Sequence, residues 1–230
     1  MPLLTTPAAS RHQTKQEFAY RTLRQALLAC ELQPGERLVI DDLSRRLGVS
    51  IIPVREALQM LQSEGLVVNV PHVGSAAAPI SLESIVDVFS VLEGLEVVAT
   101  RLVAQQRAAS ALKTLDRLMA MMDDASEAKH FEEWADLNTR FHYAISAATG
   151  LPLLQELTDR TLGRWDRIRR YYFNGVLSHR VADAQQEHRD ILKSLKSGDL
   201  VRLEADVQHH NRAALEAYMT FLGRQVPGRS

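Results

Sequence analysis

Residues 34–67 read PGERLVIDDLSRRLGVSIIPVREALQMLQSEGLV, and this stretch decides how the N-terminal third of the chain folds. Its Pro34-Gly35 pair predicts a turn, and two leucines four residues apart predict a short helix that Gly48 ends. Ser50 is a suitable N-cap for a second helix, whose apolar residues share one face. The stretch therefore predicts two helices joined by a tight turn, which is the geometry of a helix-turn-helix.

Short segments on both sides extend this motif. Residues 14–30 have the apolar spacing of a helix. Residues 66–70 and 74–78 look like two short strands around a turn. This order of elements predicts a winged helix-turn-helix over residues 13–78, preceded by a flexible arm over residues 1–12.

The second helix of such a motif enters the major groove of DNA, so residues near its start are candidate contacts. Ser50 and the nearby backbone N–H groups suit a phosphate. Arg55 lies one turn further along and can reach a phosphate or a guanine. The candidate DNA-binding residues are Arg45, Arg46, Ser50, Ile51, Ile52, Arg55, His72 and Gly74. The alternative interpretation is a structural helical module with solvated arginines.

Residues 34–67 resemble the winged helix-turn-helix of the GntR family of transcriptional regulators, whose pattern is close to PG-x-x-L…L-A-x-x-LGVS-x-x-PVREAL-x-x-L-x-x-EGLV. The resemblance implies a homodimer that binds short pseudo-palindromic operators in double-stranded DNA. This chain departs from the pattern at Ile51-Ile52, at Asp41 and at Val73, where relatives often carry Arg-Thr, Arg and a basic wing residue. Ile51 then either contacts a thymine methyl group or packs within the domain.

The composition limits the class of protein. Lys and Arg number 27 against 28 Asp and Glu, so a DNA-binding face must come from local arrangement. Cys30 is the only cysteine, which excludes a disulfide within one chain and fits a reducing cytoplasm. The chain begins without the apolar core of a signal peptide, and residues 85–104 are too charged to cross a membrane. We therefore expect a cytoplasmic protein with no membrane segment.

The rest of the chain is helical in pattern. After a linker at residues 79–80, helical spacing continues over residues 81–222, and residues 223–230 form a tail. The expected fold class is mainly α, with a winged helix-turn-helix followed by an all-α helical bundle. The first long helix is more apolar than one bundle face requires. We expect part of it, or its neighbours, at a homodimer interface, around Val88, Leu92, Leu95 and Val98.

Three helices of this bundle carry polar residues on apolar stripes. Asn138 and His142 are four residues apart on one helix, so they share a face. His188 and His210 lie on the two following helices. Those helices meet at a short break, and a short connection usually makes helices antiparallel neighbours. All four side chains can then converge inside the bundle.

Three imidazoles and an amide oxygen form a ligand set for a divalent transition metal ion, with zinc or nickel as the first candidates. The predicted metal-binding residues are Asn138, His142, His188 and His210. The alternative interpretation is that they are core histidines held by hydrogen bonds.

Residues 81–222 resemble the FCD ligand-binding domain of the FadR-like branch of the GntR family. The landmarks are Asn138-x-x-Phe141-His142, Glu187-His188 and a histidine at 210. In metal-containing members an Asp and three His bind the ion, and the Asp position matches Asn138. An amide is neutral, so the resemblance implies a weaker metal site or one that depends on an anionic effector.

The resemblance also bears on the effector. Many relatives carry an arginine within residues 89–93 that can bind a ligand carboxylate, and this chain has none there. Arg140 and Arg164 are the predicted effector-binding replacements. The expected effector is a small organic acid that changes operator affinity by favouring one arrangement of the winged helices, and the expected role is repression.

Two other functions remain open. One is a DNA-binding regulator with a structural metal, or none, and no small effector. The other is a metal-dependent hydrolase that activates water at the three histidines. Against the hydrolase, the sequence has no His-Glu-x-x-His motif. Glu187 adjoins His188 and so points to a different face, and no other base is obvious. The chain is therefore not expected to be an enzyme.

Overall fold

The computed structural model describes residues 14–107 and 109–225. They fall into two compact units, divided between Ser81 and Leu82. The mainly helical fold class predicted from the sequence is confirmed. The predicted arm and the end of the predicted tail, residues 226–230, lie outside the described residues. Within the described ranges, no helix is long and apolar enough to cross a membrane.

The N-terminal unit is a three-helix module with a hairpin. Its elements are α1 (Lys15–Leu28), α2 (Ile40–Leu47), α3 (Ile51–Ser63), β1 (Val67–Val70) and β2 (Gly74–Ala77). Thr14 caps α1 by accepting a hydrogen bond from the backbone N–H of Glu17 at 3.1 Å. The helix α2 ends at Gly48, whose φ of +66° lies in the left-handed region that glycine adopts easily.

The core of this unit lies between α1, α3 and the hairpin. Leu23, Leu27, Val54 and Leu61 are completely buried there, and each contributes roughly 1.5–3 kcal/mol by leaving water. The strands β1 and β2 pair antiparallel, with Val67 opposite Ala77. This packing holds α3 and the hairpin together as one recognition module.

The second unit is a helical bundle. Its elements are α4 (Leu82–Gln106), α5 (Ala109–Glu127), α6 (Phe131–Ala148), α7 (Pro152–Tyr171), a short 3-10 turn (Leu177–His179), α8 (Val181–Ser197) and α9 (Leu200–Gln225). Gly198 ends α8 with a φ of +74°, and α8 then packs against α9. The break predicted at residues 198–199 therefore exists, and it places the two histidine-bearing helices side by side.

The helix α4 has two apolar faces. Val88 and Leu92 are buried in their own bundle, at 6% and 3% exposure. Val91 and Val98 are seven residues apart and each 48% exposed. Val88 and Leu92, which were predicted at a dimer interface, therefore pack inside their own bundle. Val98, which was also predicted there, and Val91, one heptad earlier, form an exposed apolar surface.

Candidate DNA interface and metal centre

The start of α3 presents a mixed polar and apolar surface. Ser50 is the exposed N-cap, and its side chain makes no capping hydrogen bond within the described chain. Ile51 and Ile52 are 43% and 65% exposed, so Ile51 does not pack into the domain core. Arg55 is exposed. The candidate contacts on α3 are thus accessible to a partner.

The other predicted contacts lie on α2 and on the wing, the hairpin formed by β1 and β2. Arg45 is exposed and pairs with Asp42, whereas Arg46 is half-buried. His72 and Gly74 are exposed at the hairpin turn, with φ values of +63° and +96°. These residues belong to the same unit as α3.

One exposed cation near the wing was not singled out from the sequence. Arg37 forms a bridge with Ala76 of β2. The neighbouring Leu38 donates its backbone N–H to the carbonyl of Ser75 at 2.8 Å. This segment therefore lies along the wing as a third strand-like edge. The signal available in the sequence was an arginine directly after the Pro-Gly turn.

Three imidazole rings meet in the interior of the second unit. His142 comes from α6, His188 from α8 and His210 from α9, and all three are buried. Each offers a ring nitrogen, and these nitrogens lie within 4.8 Å of one another. The Nε2 atoms of His142 and His188 are 3.2 Å apart. Two nitrogens bound tetrahedrally to one zinc ion stand about 3.3 Å apart, given zinc–nitrogen bonds of 2.0–2.1 Å.

A buried carboxylate orients the ring of His142. Glu96 of α4 places Oε1 2.6 Å from Nδ1 of His142, and Asn211 donates its side-chain amide to Oε2 at 2.8 Å. Burial alone would raise the pKa of Glu96, but the charge and hydrogen bond of His142 outweigh it, so the pKa is lowered. An ionised carboxylate at Nδ1 leaves Nε2 of this ring for a metal.

A second carboxylate orients the ring of His210. Oε2 of Glu187 lies 2.7 Å from Nδ1 of His210. Arg180 donates from Nη2 to both oxygens of Glu187, at 2.6 and 2.7 Å. Burial raises the pKa of Glu187, but its hydrogen bonds and charge interactions with His210 and Arg180 lower it overall. The carboxylate–histidine arrangement typical of metal sites thus occurs twice.

The electrostatics favour the neutral form of His188 and of His210. Burial lowers the pKa of His188 well below its ordinary value, and the charges of His210 and His142 lower it further. Burial also lowers the pKa of His210, against the raising effect of Glu187. Neutral imidazole is the form that binds a metal.

Asn138 is a buried polar residue near this cluster. Its side chain is 2% exposed, and Oδ1 has no hydrogen-bond partner in the described part of the chain. It lines the same cavity as His142 and His210. A buried carbonyl oxygen with no donor is costly, and a cation would satisfy it. The residues present therefore fit a divalent transition metal ion.

The cavity beside the histidines is small and largely apolar. The volume open to the centre of a water molecule is about 30 Å³, and one water needs roughly 10–15 Å³ on that measure. Trp134 and Trp165 form part of its wall. In this form the cavity accommodates an ion with a water or a very small ligand, so a larger effector requires the walls to move.

The cation at this cavity differs from those expected. Arg140 is exposed and Arg164 is half-buried, and neither lines the cavity. Among the described residues, Arg180 is the arginine that lines the cavity. It lies on the turn before α8. The position of Arg180 depends on how that turn folds back over the bundle. The spacing of apolar residues along a helix does not predict this.

Sequence reasoning also missed the roles of the two carboxylates. Glu96 follows the inner face of α4, four residues after Leu92 and seven before Val103, both buried. A charged residue on an otherwise apolar stripe was the signal available. Glu187 was expected to point away from the face of α8 that carries His188. In the structure it contacts His210 of α9.

A winged helix-turn-helix followed by an all-helical domain is the architecture of a DNA-binding transcriptional regulator. Residues 15–76 match the family model of bacterial regulatory proteins of the gntR family. Residues 87–213 match the model of the FCD domain. The chain belongs to the GntR family, in the FadR-like branch that carries an FCD domain.

Curated relatives agree with this assignment, and a solved structure shares the fold. An uncharacterized HTH-type transcriptional regulator from an unstable DNA locus of Streptomyces ambofaciens is 29% identical, covering 91% of this chain and 87% of its own. The HTH-type transcriptional repressor RspR of Escherichia coli K12 is 26% identical over 83% of each chain. The structure of Escherichia coli McbR/YncC has a TM-score of 0.72 at 21% identity, covering 93% and 99% of the two chains. The two curated relatives are described as a transcriptional regulator and a transcriptional repressor.

Proposed function

We propose that this chain is a cytoplasmic, homodimeric repressor. It binds a double-stranded DNA operator through α3 and the wing, and a small organic acid bound near a divalent transition metal ion changes its operator affinity. Membership of the GntR family supports the DNA-binding role. One observation supports the sensor role: three buried imidazoles, two of them oriented by carboxylates, stand beside an unpaired amide oxygen.

The metal would be held by His142, His188 and His210, with Asn138 contributing its side-chain oxygen. When bound, the ion would supply positive charge and an open position for an acidic ligand. The chain itself contributes the orientation of two rings through Glu96 and a second carboxylate. Burial favours the neutral form of His188 and His210. Zinc and nickel suit such a nitrogen-rich set.

Dimerisation is part of the same proposal, because two-fold operators require two-fold proteins. The exposed residues Val91 and Val98 on the outer face of α4 are the surface that we assign to it. Light scattering of the full chain at micromolar concentration should give twice the chain mass. A monomer with and without DNA would contradict this assignment.

The test of DNA binding begins with selection of binding sites from a random pool of duplex DNA by the full chain. We expect a short pseudo-palindrome. Gel-shift titrations of that sequence then measure affinity after chelation and after zinc is restored. A chain that retains no sequence preference among duplexes contradicts the regulatory role.

Metal binding is tested by elemental analysis after incubation with zinc or nickel and removal of excess ion. We expect one ion per chain. Asn138→Asp should hold the ion more tightly, because it replaces a neutral oxygen with a charged ligand. If both proteins remain empty, the histidines are the polar lining of a pocket. If metal binds and no acid changes operator affinity, the metal is structural.

A further inference from the structure

The cavity beside the histidine cluster contains a second unpaired polar atom. The hydroxyl of Tyr218, on α9, is 2% exposed as a residue and has no hydrogen-bond partner in the described chain. Tyr218 lines the cavity together with Asn138. Burial raises the pKa of Tyr218, so the hydroxyl keeps its proton. The cavity wall therefore contains the Tyr218 hydroxyl, a donor without an acceptor, and the Asn138 side-chain oxygen, an acceptor without a donor.

Arg180 lines the same cavity and has hydrogen-bonding capacity to spare. Both of its hydrogen bonds to Glu187 use the single nitrogen Nη2. A guanidinium carries five N–H donors in a planar fork. Its side chain is 12% exposed, so those donors lie where solvent is scarce. An additional acceptor in the cavity would gain a strong, charge-assisted bond.

We propose that Arg180 and Tyr218 form a carboxylate subsite in this cavity. The inference rests on the proposed sensor function and identifies the side chains that recognise the acid. One carboxylate has two oxygens and about four lone-pair positions. It matches the fork of Arg180 and the hydroxyl of Tyr218 together, whereas a neutral amide of the same size would lose the charge-assisted bonds. The ligand class is thus a small carboxylic acid in its ionised form.

We assign the entry to the subsite to the other side of Arg180. An open surface groove is lined by Arg180, Glu187 and His209, and its volume open to water centres is about 910 Å³. Arg180 and Val176 border both this groove and the closed cavity. A carboxylate arriving from solvent therefore meets Arg180 before it reaches the histidines. Binding requires Arg180 to turn part of its fork from Glu187 to the acid.

The chain provides its own reporter for a test. It has two tryptophans, and both Trp134 and Trp165 line the cavity. We would titrate the zinc-incubated full chain with sodium acetate and follow tryptophan fluorescence. Acetamide, which has the same shape and no charge, is the matched ligand control. We expect a saturable change with acetate and none with acetamide.

Two substitutions test the two members of the subsite. Arg180→Gln should weaken acetate binding by roughly tenfold or more, as expected for loss of a charged hydrogen bond. Arg180→Lys should weaken it less, because it keeps the charge and loses the fork. Arg117→Gln removes an exposed arginine elsewhere on the bundle and should leave the titration unchanged.

Tyr218→Phe separates ligand binding from a structural role. It should weaken acetate binding on the order of tenfold. It should leave the melting temperature of the acetate-free protein unchanged or higher, because no protein hydrogen bond is lost. A lower melting temperature with unchanged acetate affinity would assign the hydroxyl to the fold and overturn its place in the subsite.

Other outcomes overturn the proposal as a whole. These are an absence of any acetate response in protein that holds zinc, equal responses to acetate and acetamide, or full acetate binding by Arg180→Gln. A loss of acetate binding in Arg140→Gln instead would assign carboxylate binding to Arg140, one of the two arginines predicted from the sequence. Operator binding and zinc content are measured on the same preparations, so failure of the subsite is distinguishable from failure of the proposed regulator.

Discussion

The two units of this protein place their candidate functional residues in opposite environments. In the N-terminal unit, Ser50, Ile52 and Arg55 are exposed and lie within one helical segment. In the helical unit, His142 and His210 are buried and come from helices far apart in the chain. A surface site can be changed one side chain at a time. A buried site depends on the partners that other helices bring to it.

The largest effect should follow from removing one ring of the buried cluster. His188→Ala leaves two histidines and a neutral amide, which make a poor site, so zinc content should fall from one ion per chain to none. His209→Ala is the matched control, since His209 lines the outer groove and not the cavity. Elemental analysis of both variants decides. Equal zinc content in the two variants would contradict the dependence of the buried site on each of its rings.

The exposed unit should respond locally. Arg55→Ala should weaken operator binding by roughly 1–3 kcal/mol if the guanidinium reads a base edge. Zinc content and melting temperature should not change, because Arg55 is exposed. Gel-shift titration measures the affinity, with Arg117→Ala as the control. Undiminished affinity would remove Arg55 from the interface.

Glu96→Gln tests whether the buried site depends on residues behind the ligands. Glutamine keeps the shape and removes the charge that faces Nδ1 of His142. Loss of such an outer carboxylate typically costs 10–100-fold in metal affinity. Competition against a zinc chelator measures it. Glu93→Gln, on the same helix and paired with the exposed Arg212, is the control. Equal affinities for the two variants would show that the carboxylate is not part of the metal site.

The smallest effects should come from the two left-handed glycines that end helices. Gly48→Ala and Gly198→Ala each place a Cβ at positive φ, which costs roughly 1–2 kcal/mol. We expect Gly48→Ala to weaken amide protection in the N-terminal unit and Gly198→Ala to weaken it in the bundle. Hydrogen exchange followed by peptide mass spectrometry locates the change. Loss of protection in both units from one substitution would show that they are coupled.

The extent to which the sequence predicts the structure differs between the two units for a physical reason. Turn glycines, caps and spacing within α2 and α3 are local, so the order of elements in the N-terminal unit could be predicted. Helical phase and the short break at Gly198 also sufficed to bring the histidines together. The roles of Glu96 and Arg180 could not be read in this way. Their contacts depend on the rotation and packing of other elements, which no residue near them in sequence specifies.

The position of Arg180 has a consequence for the speed of the response. Arg180 stands between the open groove and the closed cavity and is held by Glu187. If an acid must wait for that ion pair to open, its observed association rate should rise with concentration and then level off at the opening rate. Release should wait for the same step. The regulator would then hold its ligand state after the metabolite concentration has changed, and its output would follow an average of recent supply.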